Sequence, residues 1–286
     1  MILFGQSAGG VSVDYYSYAW TKDPIVRGFI AESGSAGNIA GGPNANLSAG
    51  WYMASQKLGC GGIEAGSKTL ACMQSKPWAS IMANIEKRGV TPNMGAGGFG
   101  PEADEKLVFS NYTDRKVKGK FIHAPLIVGN ADNEGGFYQL LAKARGQTLP
   151  SASSSAVTSF IGCGPHSAAE ARMKNGVPAW RYVYQGVYPN QDIGIPGGAW
   201  HGSEIALVFG TSEFLSHLPD SPEEVELGEK LRKAWTAFAK DPAHGLDQFK
   251  WPTYDANKPT VIHIGGVNSS AITFEARPKL DAGCGK

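Results

Sequence analysis

Three kinds of side chain in this sequence could together move a proton and attack a carbonyl carbon: a serine held between glycines, two carboxylates on one short loop, and a histidine between glycines. Ser7 stands in Gly5-Gln6-Ser7-Ala8-Gly9, directly after the apolar run Ile2-Leu3-Phe4 and before the helix-compatible stretch Val11 to Ala19. A strand that turns sharply into a helix at such a G-x-S-x-G holds its serine in a strained backbone conformation with the oxygen exposed, and glycine at 5 and 9 is expected to leave room for the turn. Taken alone, the same five residues also fit an ordinary glycine-rich turn. A serine hydroxyl is a weak nucleophile until a base takes its proton, and an imidazole base needs a carboxylate to fix its tautomer and stabilise its charged form. Asp132 and Glu134 lie just past the carboxyl end of the apolar run Ala124-Pro125-Leu126-Ile127-Val128-Gly129, where open α/β sheets keep their functional groups. Residue type and spacing do not separate these two acids. Among His166, His201, His217, His244 and His263, His201 is the best placed, in a long loop between a strand and a helix with Gly198 and Gly202 on either side. His263 falls within a strand and His217 and His244 within polar segments, and these three are expected to be plain exposed histidines.

The elements that must position these groups follow from apolar periodicity. Arg27 to Gly34 reads as a second short strand, neighbour to the serine strand. Helical spacing marks Asn46 to Leu58, Glu64 to Gln74 and Trp78 to Glu86, and a helix is expected from Gly136 to Ala144. The stretch after Gly95 to Gly100 and Pro101 reads as irregular. Ser151 to Asn175 reads as two short helices around Cys163, and Trp180 to Tyr184 as a strand. Ser221, Pro222 and Glu224 form a helix start, with Ser221 as cap and Glu224 closing a capping box, and the helix then places Leu227, Leu231, Ala234, Trp235 and Phe238 on one face until Asp241-Pro242. Val261 to Ile264 reads as the last strand. Strands alternating with helices give an α/β class and a parallel sheet.

Composition narrows the function. The 286 residues carry 26 Lys+Arg against 25 Asp+Glu, a net charge of +1, which offers no field for nucleic acid or an anionic membrane. No apolar run is long enough for a membrane span, and the glycines from Gly5 to Gly10 interrupt any signal-peptide core. Four cysteines, Cys60, Cys72, Cys163 and Cys284, allow three pairings and contain no C-x-x-C, so a metal site is not expected. The sequons at Asn46, Asn111 and Asn268 point toward a secretory, oxidising environment.

Four segments in order, Phe4-Gly5-Gln6-Ser7-Ala8-Gly9-Gly10, Glu32-Ser33-Gly34-Ser35, Gly129-Asn130-Ala131-Asp132-Asn133-Glu134-Gly135 and Trp200-His201-Gly202-Ser203-Glu204, resemble the type-B carboxylesterase and cholinesterase family, and within it the secreted fungal carboxylesterases. The resemblance implies an α/β-hydrolase fold and a catalytic chain order of serine, acid, histidine. Ser7 would be the nucleophile, Glu134 the acid in preference to Asp132, His201 the base and then the acid, and the Ala8 amide an oxyanion donor. It also implies disulfides Cys60 with Cys72 and Cys163 with Cys284, a small-molecule carboxylic ester as substrate, no cofactor and a secreted product. Lipase-like preference within the family is the near alternative, and a non-catalytic binding or adhesion module the distant one.

Two departures from the family pattern carry expectations. Gln6 stands where cholinesterases have glutamate before the nucleophile, removing a negative charge from the substrate pocket and favouring neutral esters. The chain also begins six residues before Ser7, whereas the family's nucleophile lies well inside the chain, after several strands and a His-Gly-Gly-type oxyanion loop. The expectation is therefore a single incomplete domain over 1–286, the portion of the fold from the nucleophile strand onward, with an unpaired sheet edge and little or no activity by itself.

Overall fold

In a computed structural model, the described residues are 1–22, 25–37, 48–85, 100–276, 281 and 284. They fall into two compact units, one of Met1–Asn38 with Asn111–Lys286 and one of Ile39–Ser110.

The first unit begins with β1 (Ile2–Gln6), α1 (Ala8–Ala19) and β2 (Gly28–Glu32). The second unit, lying between β2 and β3 in the sequence, holds α2 (Ser48–Lys57), α3 (Lys68–Gln74) and α4 (Trp78–Asn84). Its small core packs Ala54, Cys60 and Met73 against Trp51, Leu58 and Ile81, and Cys60 is bonded to Cys72. These helices follow the sequence reading, though residues 46–47 and 86 and the glycines at 95–99 lie outside the described residues. The first unit resumes with α5 (Tyr112–Val117), β3 (Leu126–Ala131), α6 (Glu134–Ala144), α7 (Ser151–Lys174) and β4 (Ala179–Tyr184). It continues with α8 (Glu204–Phe209), α9 (Ser212–Ser216), α10 (Pro222–Lys240), β5 (Val261–Gly266) and β6 (Ser269–Glu275).

The six strands form one sheet in sequence order, parallel from β1 to β5 and antiparallel between β5 and β6. Because side chains alternate along a strand, the period of two sorts each strand between two cores. Ile30, Ile127, Trp180, Tyr182, Tyr184, Ile262 and Ile264 face α10 through Leu227, Leu231, Trp235 and Phe238. Phe29, Leu126, Val128, Val183 and Val261 face the other way, against Val13 of α1 and Ala168 and Ala169 of α7. Helices on both faces explain why β2, β3 and β4 are buried along their whole length.

Three expectations are corrected. Residues 151–174 form one helix of 24 residues that runs through Pro165, not two short helices. Proline removes one backbone bond from a helix interior, but Val157, Ile161, Ala168 and Ala169 are all buried and their common face carries the helix past it. The stretch read as irregular contains α5, capped by Asn111, whose Oδ1 accepts the Asp114 amide at 2.9 Å. The last strand is β6, whose largely exposed Ser-Ser-Ala-Ile-Thr-Phe-Glu has too little apolar alternation to read as one.

Candidate active site

Ser7 is the one residue between β1 and α1, and it takes the turn in a left-handed conformation with φ of 57° and ψ of −120°. For a residue with a side chain this is a strained backbone, and such strain persists only when the surroundings dictate it. Here they do: the Ser7 amide donates to the Glu32 carbonyl at 2.8 Å, and Val11 N–H donates to the Ser7 carbonyl at 3.0 Å. Backbone crowding completes the constraint. A Cβ on Gly5 would lie 2.6 Å from the Gly9 carbonyl carbon, one on Gly10 2.7 Å from the Glu32 carbonyl oxygen, and one on Gly34 2.2 Å from the Ser7 carbonyl oxygen. A Cβ on Gly9 would meet nothing within 4 Å, so the expectation that the turn needs glycine at both 5 and 9 holds only for Gly5.

β2 ends in the same manner one strand away. Ser33 has φ of 50°, and its amide donates to the Gly129 carbonyl at 2.7 Å. Its hydroxyl thereby reaches the next strand's loop and donates to Glu134 Oε1 at 2.7 Å. Glu134, first residue of α6, is wholly buried, and its Oε1 also accepts the Ala131 amide at 2.8 Å. Its Oε2 accepts a short hydrogen bond from His201 Nδ1. With Nδ1 protonated, His201 Nε2 is the acceptor, facing the Ser7 hydroxyl at 2.8 Å and the Gln6 amide nitrogen at 3.3 Å. The chain therefore runs from a presented hydroxyl through an imidazole to a carboxylate held by three donors, geometry that lets the serine proton pass to Nε2 while Glu134 balances the charge that results.

Burial disfavours the charged imidazole, but the charge and hydrogen bond of Glu134, with a further contribution from Glu204, outweigh it and raise the His201 pKa above its ordinary value. Ala8 opens α1, so its N–H has no partner within the helix and the positive end of the helix dipole lies beside Ser7. Phe137 and Tyr138 set their rings 6.1 Å and 5.6 Å from the His201 ring, and Phe137 stacks on Trp200.

Two more buried acids interact with each other, and one of them, Glu204, also acts on His201. Glu32 accepts the Trp235 indole N–H at 3.0 Å, and Tyr182 reaches Glu204 Oε1 at 3.5 Å. Both carboxyls are buried and each keeps one oxygen without a hydrogen-bond partner. Burial, followed by the charge of Glu134, raises Glu204 to about 7, while burial and the charge of Glu204 raise Glu32 well above the carboxylate range.

The structure thus brings Ser7, Gln6, Glu134 and His201 together. Asp132 does not touch the imidazole; it accepts the Ala199 amide at 2.8 Å. His217 and His244 are exposed as expected, but His263 is not: its side chain is 12% exposed and its ring hydrogen-bonds Gln185 at 3.0 Å. The strand pattern of residues 261–264 hid this because β6 covers that flank. Ser33, Glu32 and Glu204 received no role from the sequence although they lie inside the quoted motifs; the signal was their company with Ser7 and His201. The disulfides are Cys60 with Cys72 and Cys163 with Cys284. Asn111 and Asn268 are exposed, and Asn46 lies outside the described residues. Among the described residues no group of three or more His, Cys, Asp or Glu is arranged to hold a metal ion, and no helix is long and apolar enough to cross a membrane. A cleft of about 680 Å³ lined by Asp132, Asn133, Gln139 and Lys143, among others, includes none of Ser7, Glu134 and His201.

Comparison with known proteins gives a consistent result. The model of the carboxylesterase family matches residues 1–151 and 141–280. A secreted lipase 5 from Gibberella zeae is 29% identical across 98% of this chain and 54% of its own length. A chlorogenic acid esterase from Aspergillus niger is 31% identical across 85% of this chain and 46% of its own. The chain spans about half the length of these relatives. In three dimensions a PNB esterase superposes with a TM-score of 0.73 at 18% identity, over 97% of this chain and 60% of that one, which identifies the fold as α/β-hydrolase.

Proposed function

Because the chain belongs to the carboxylesterase family, we propose that it is a carboxylic ester hydrolase that works through an acyl-enzyme on Ser7. His201 Nε2 takes the Ser7 proton as the oxygen attacks the ester carbonyl, and Glu134 stabilises the imidazolium. The Ala8 N–H donates to the tetrahedral oxyanion. His201 then returns the proton to the leaving alcohol, and a water activated by the same nitrogen releases the acid. The observation that carries this reading is the unbroken contact from Ser7 Oγ at 2.8 Å to His201 Nε2 and from Nδ1 to Glu134.

The proposed substrates are neutral esters. Gln6 sets an uncharged amide 3.3 Å from the His201 nitrogen, where a carboxylate would attract a cationic alcohol. We further propose that the protein is secreted, in keeping with its two disulfides, that Asn46, Asn111 and Asn268 carry glycans, and that residues 1–286 act as one domain with 39–110 as an insertion between β2 and β3.

The test is hydrolysis of a short-chain p-nitrophenyl ester beside the Ser7→Ala variant, with butyrylcholine and its uncharged dimethylbutyl analogue as a second pair. Activity lost in the variant supports the nucleophile; activity retained by it excludes Ser7. Faster turnover of the choline ester would overturn the substrate class.

A further inference from the structure

The passage from β3 into the first residue of α6 offers two acids, Asp132 and Glu134, and only Glu134 faces the imidazole. We propose that Asp132 is a positioning residue whose carboxylate anchors the backbone carrying His201, so that Glu134 fixes the ring while Asp132 fixes the peptide from which it hangs. This rests on the reading of His201 as the base.

The geometry that carries it is a short ladder between residues 132–133 and the chain just before the histidine. Asp132 Oδ1 accepts the Ala199 amide at 2.8 Å, and the Asn133 amide donates to the Ala199 carbonyl at 2.9 Å. Asn133 and Trp200 form an isolated parallel bridge. The backbone is shaped to admit the carboxylate: Gly198 has φ of 117°, and a Cβ there would lie 2.4 Å from Asp132 Oδ1. Asp132 is tied from below, its amide donating to the Tyr184 carbonyl at 3.0 Å. A rigid line therefore runs from β4 through Asp132 to Ala199, two residues from His201. The preceding segment, with glycines at 194, 197 and 198, all at positive φ, has little stiffness of its own to hold the histidine in place.

Ionisation of this carboxylate does not favour the folded state. Burial pushes Asp132 up to about 6, against the pull of the bonds from Ala199 and Gln185. A carboxyl raised from the usual value near 4 contributes stability that is present below pH 4 and lost as pH rises through 6, so the ionised group is a net cost at neutral pH. What the side chain supplies in this structure is an acceptor for the Ala199 amide on the histidine loop.

The test uses the 286-residue chain with Asp132→Ala and Asp132→Asn at pH 8, reading kcat, KM, thermal midpoint and the low-field NMR resonance of the His201 Nδ1 proton. A displacement of about 1 Å at a reacting group costs about 100-fold, so partial loosening in Asp132→Ala is expected to lower kcat by about 10- to 100-fold with KM within about twofold. The resonance should broaden or vanish. Asp132→Asn keeps an acceptor oxygen for Ala199 and is expected to recover most of kcat and the resonance, with a thermal midpoint equal to or above that of the parent. An unchanged kcat and resonance in Asp132→Ala would overturn the proposal, as would loss in both variants in step with a lowered midpoint. If the parent does not turn over the ester, the resonance alone decides, since it reports ring placement without substrate. Ser7→Ala separates the two readings: activity surviving in it removes the nucleophile assignment whatever Asp132 does, while activity lost in it and kept in Asp132→Ala removes only the anchor.

Discussion

Two buried ionic centres lie on opposite faces of the same sheet and treat charge in opposite ways. On the side of α1 and α7, Arg172 is 1% exposed and both of its terminal nitrogens are hydrogen-bonded, while its Nε has no partner. Its Nη2 donates to Asp14 Oδ1 at 2.9 Å and Ser17 Oγ at 2.8 Å, its Nη1 to Tyr18 Oη at 3.2 Å, and its guanidinium lies 4.3 Å from the Phe121 ring centre. On the side of α10, Glu134 and Glu204 act on His201 and Glu204 also acts on Glu32, and none of the ion pairs among the described residues joins these three acids to a lysine or arginine. The first centre pairs its arginine with a carboxylate. In the second, burial and then neighbouring negative charge raise the pKa values of Glu32 and Glu204, and the charges of Glu134 and Glu204 raise that of His201 against its burial, which is the pattern expected where protons move.

The strongest way to break this contrast is to remove one charge from each centre and measure both activity and stability. Glu134→Gln is expected to lower kcat by about 10⁴-fold, because an amide neither fixes the tautomer nor stabilises the imidazolium. Its urea midpoint should hold or rise, since a buried negative charge is removed. Asp14→Leu should do the reverse: leaving Arg172 buried without its partner costs about 3–5 kcal/mol in urea unfolding, while ester turnover by the protein still folded stays within a few-fold of the parent. Replacing both, Asp14→Leu with Arg172→Met, should restore most of that stability. If Asp14→Leu abolished turnover without loss of stability, the two centres would not be separable.

What was legible beforehand divides along the same line. The serine turn, the neighbouring strand, the buried run of β3 and the apolar face of α10 are local patterns, and each was readable from residue type and period. The arginine centre was invisible: Asp14, Ser17 and Tyr18 lie on α1 while Arg172 lies at the far end of α7, and no spacing rule brings those helices together. At the reactive centre, Asp132 and Glu134 were equivalent in sequence, and only the resemblance preferred the second. What separates them physically is the start of α6 at Glu134, which turns its side chain toward Ser33 and His201, whereas Asp132 still belongs to the strand exit and meets Ala199.

A finer test concerns the acid that the motif carried without a role. Burial opposes the charged form of His201, and Glu134 and then Glu204 favour it, so the acid limb of kcat/KM should fall above the ordinary histidine value of about 6.5. Glu204→Gln removes one of those charges and should move the limb toward lower pH. Stability should change in a matching way. A carboxyl raised to about 7 contributes stability that is present below its unfolded value and lost as pH rises through 7, so the parent's unfolding free energy should decline from about pH 4.5 to pH 7 and the variant's decline should be shallower. A limb that stays in place, or moves up, would show that Glu204 does not act on His201.

The smallest expected effect separates side-chain charge from backbone closeness as the thing that holds the reactive centre together. Arg172 is secured by side chains reaching across a helix pair, but Ser7 is secured by main chain against main chain, and there glycine is a spatial requirement at some positions and not at others. Gly34→Ala would drive a methyl to 2.2 Å from the Ser7 carbonyl oxygen, and two backbones would have to part. Gly9, although it completes the G-x-S-x-G pattern, has open space where its Cβ would sit and already lies in α1, so Gly9→Ala should leave the thermal midpoint unchanged or raise stability by up to about 1 kcal/mol. Any fall in its turnover would then report a methyl group beside the bound ester and not a damaged turn. A drop in midpoint for Gly9→Ala as large as that for Gly34→Ala would mean that the pattern itself, and not the particular contacts of Gly5, Gly10 and Gly34, sets the serine's geometry.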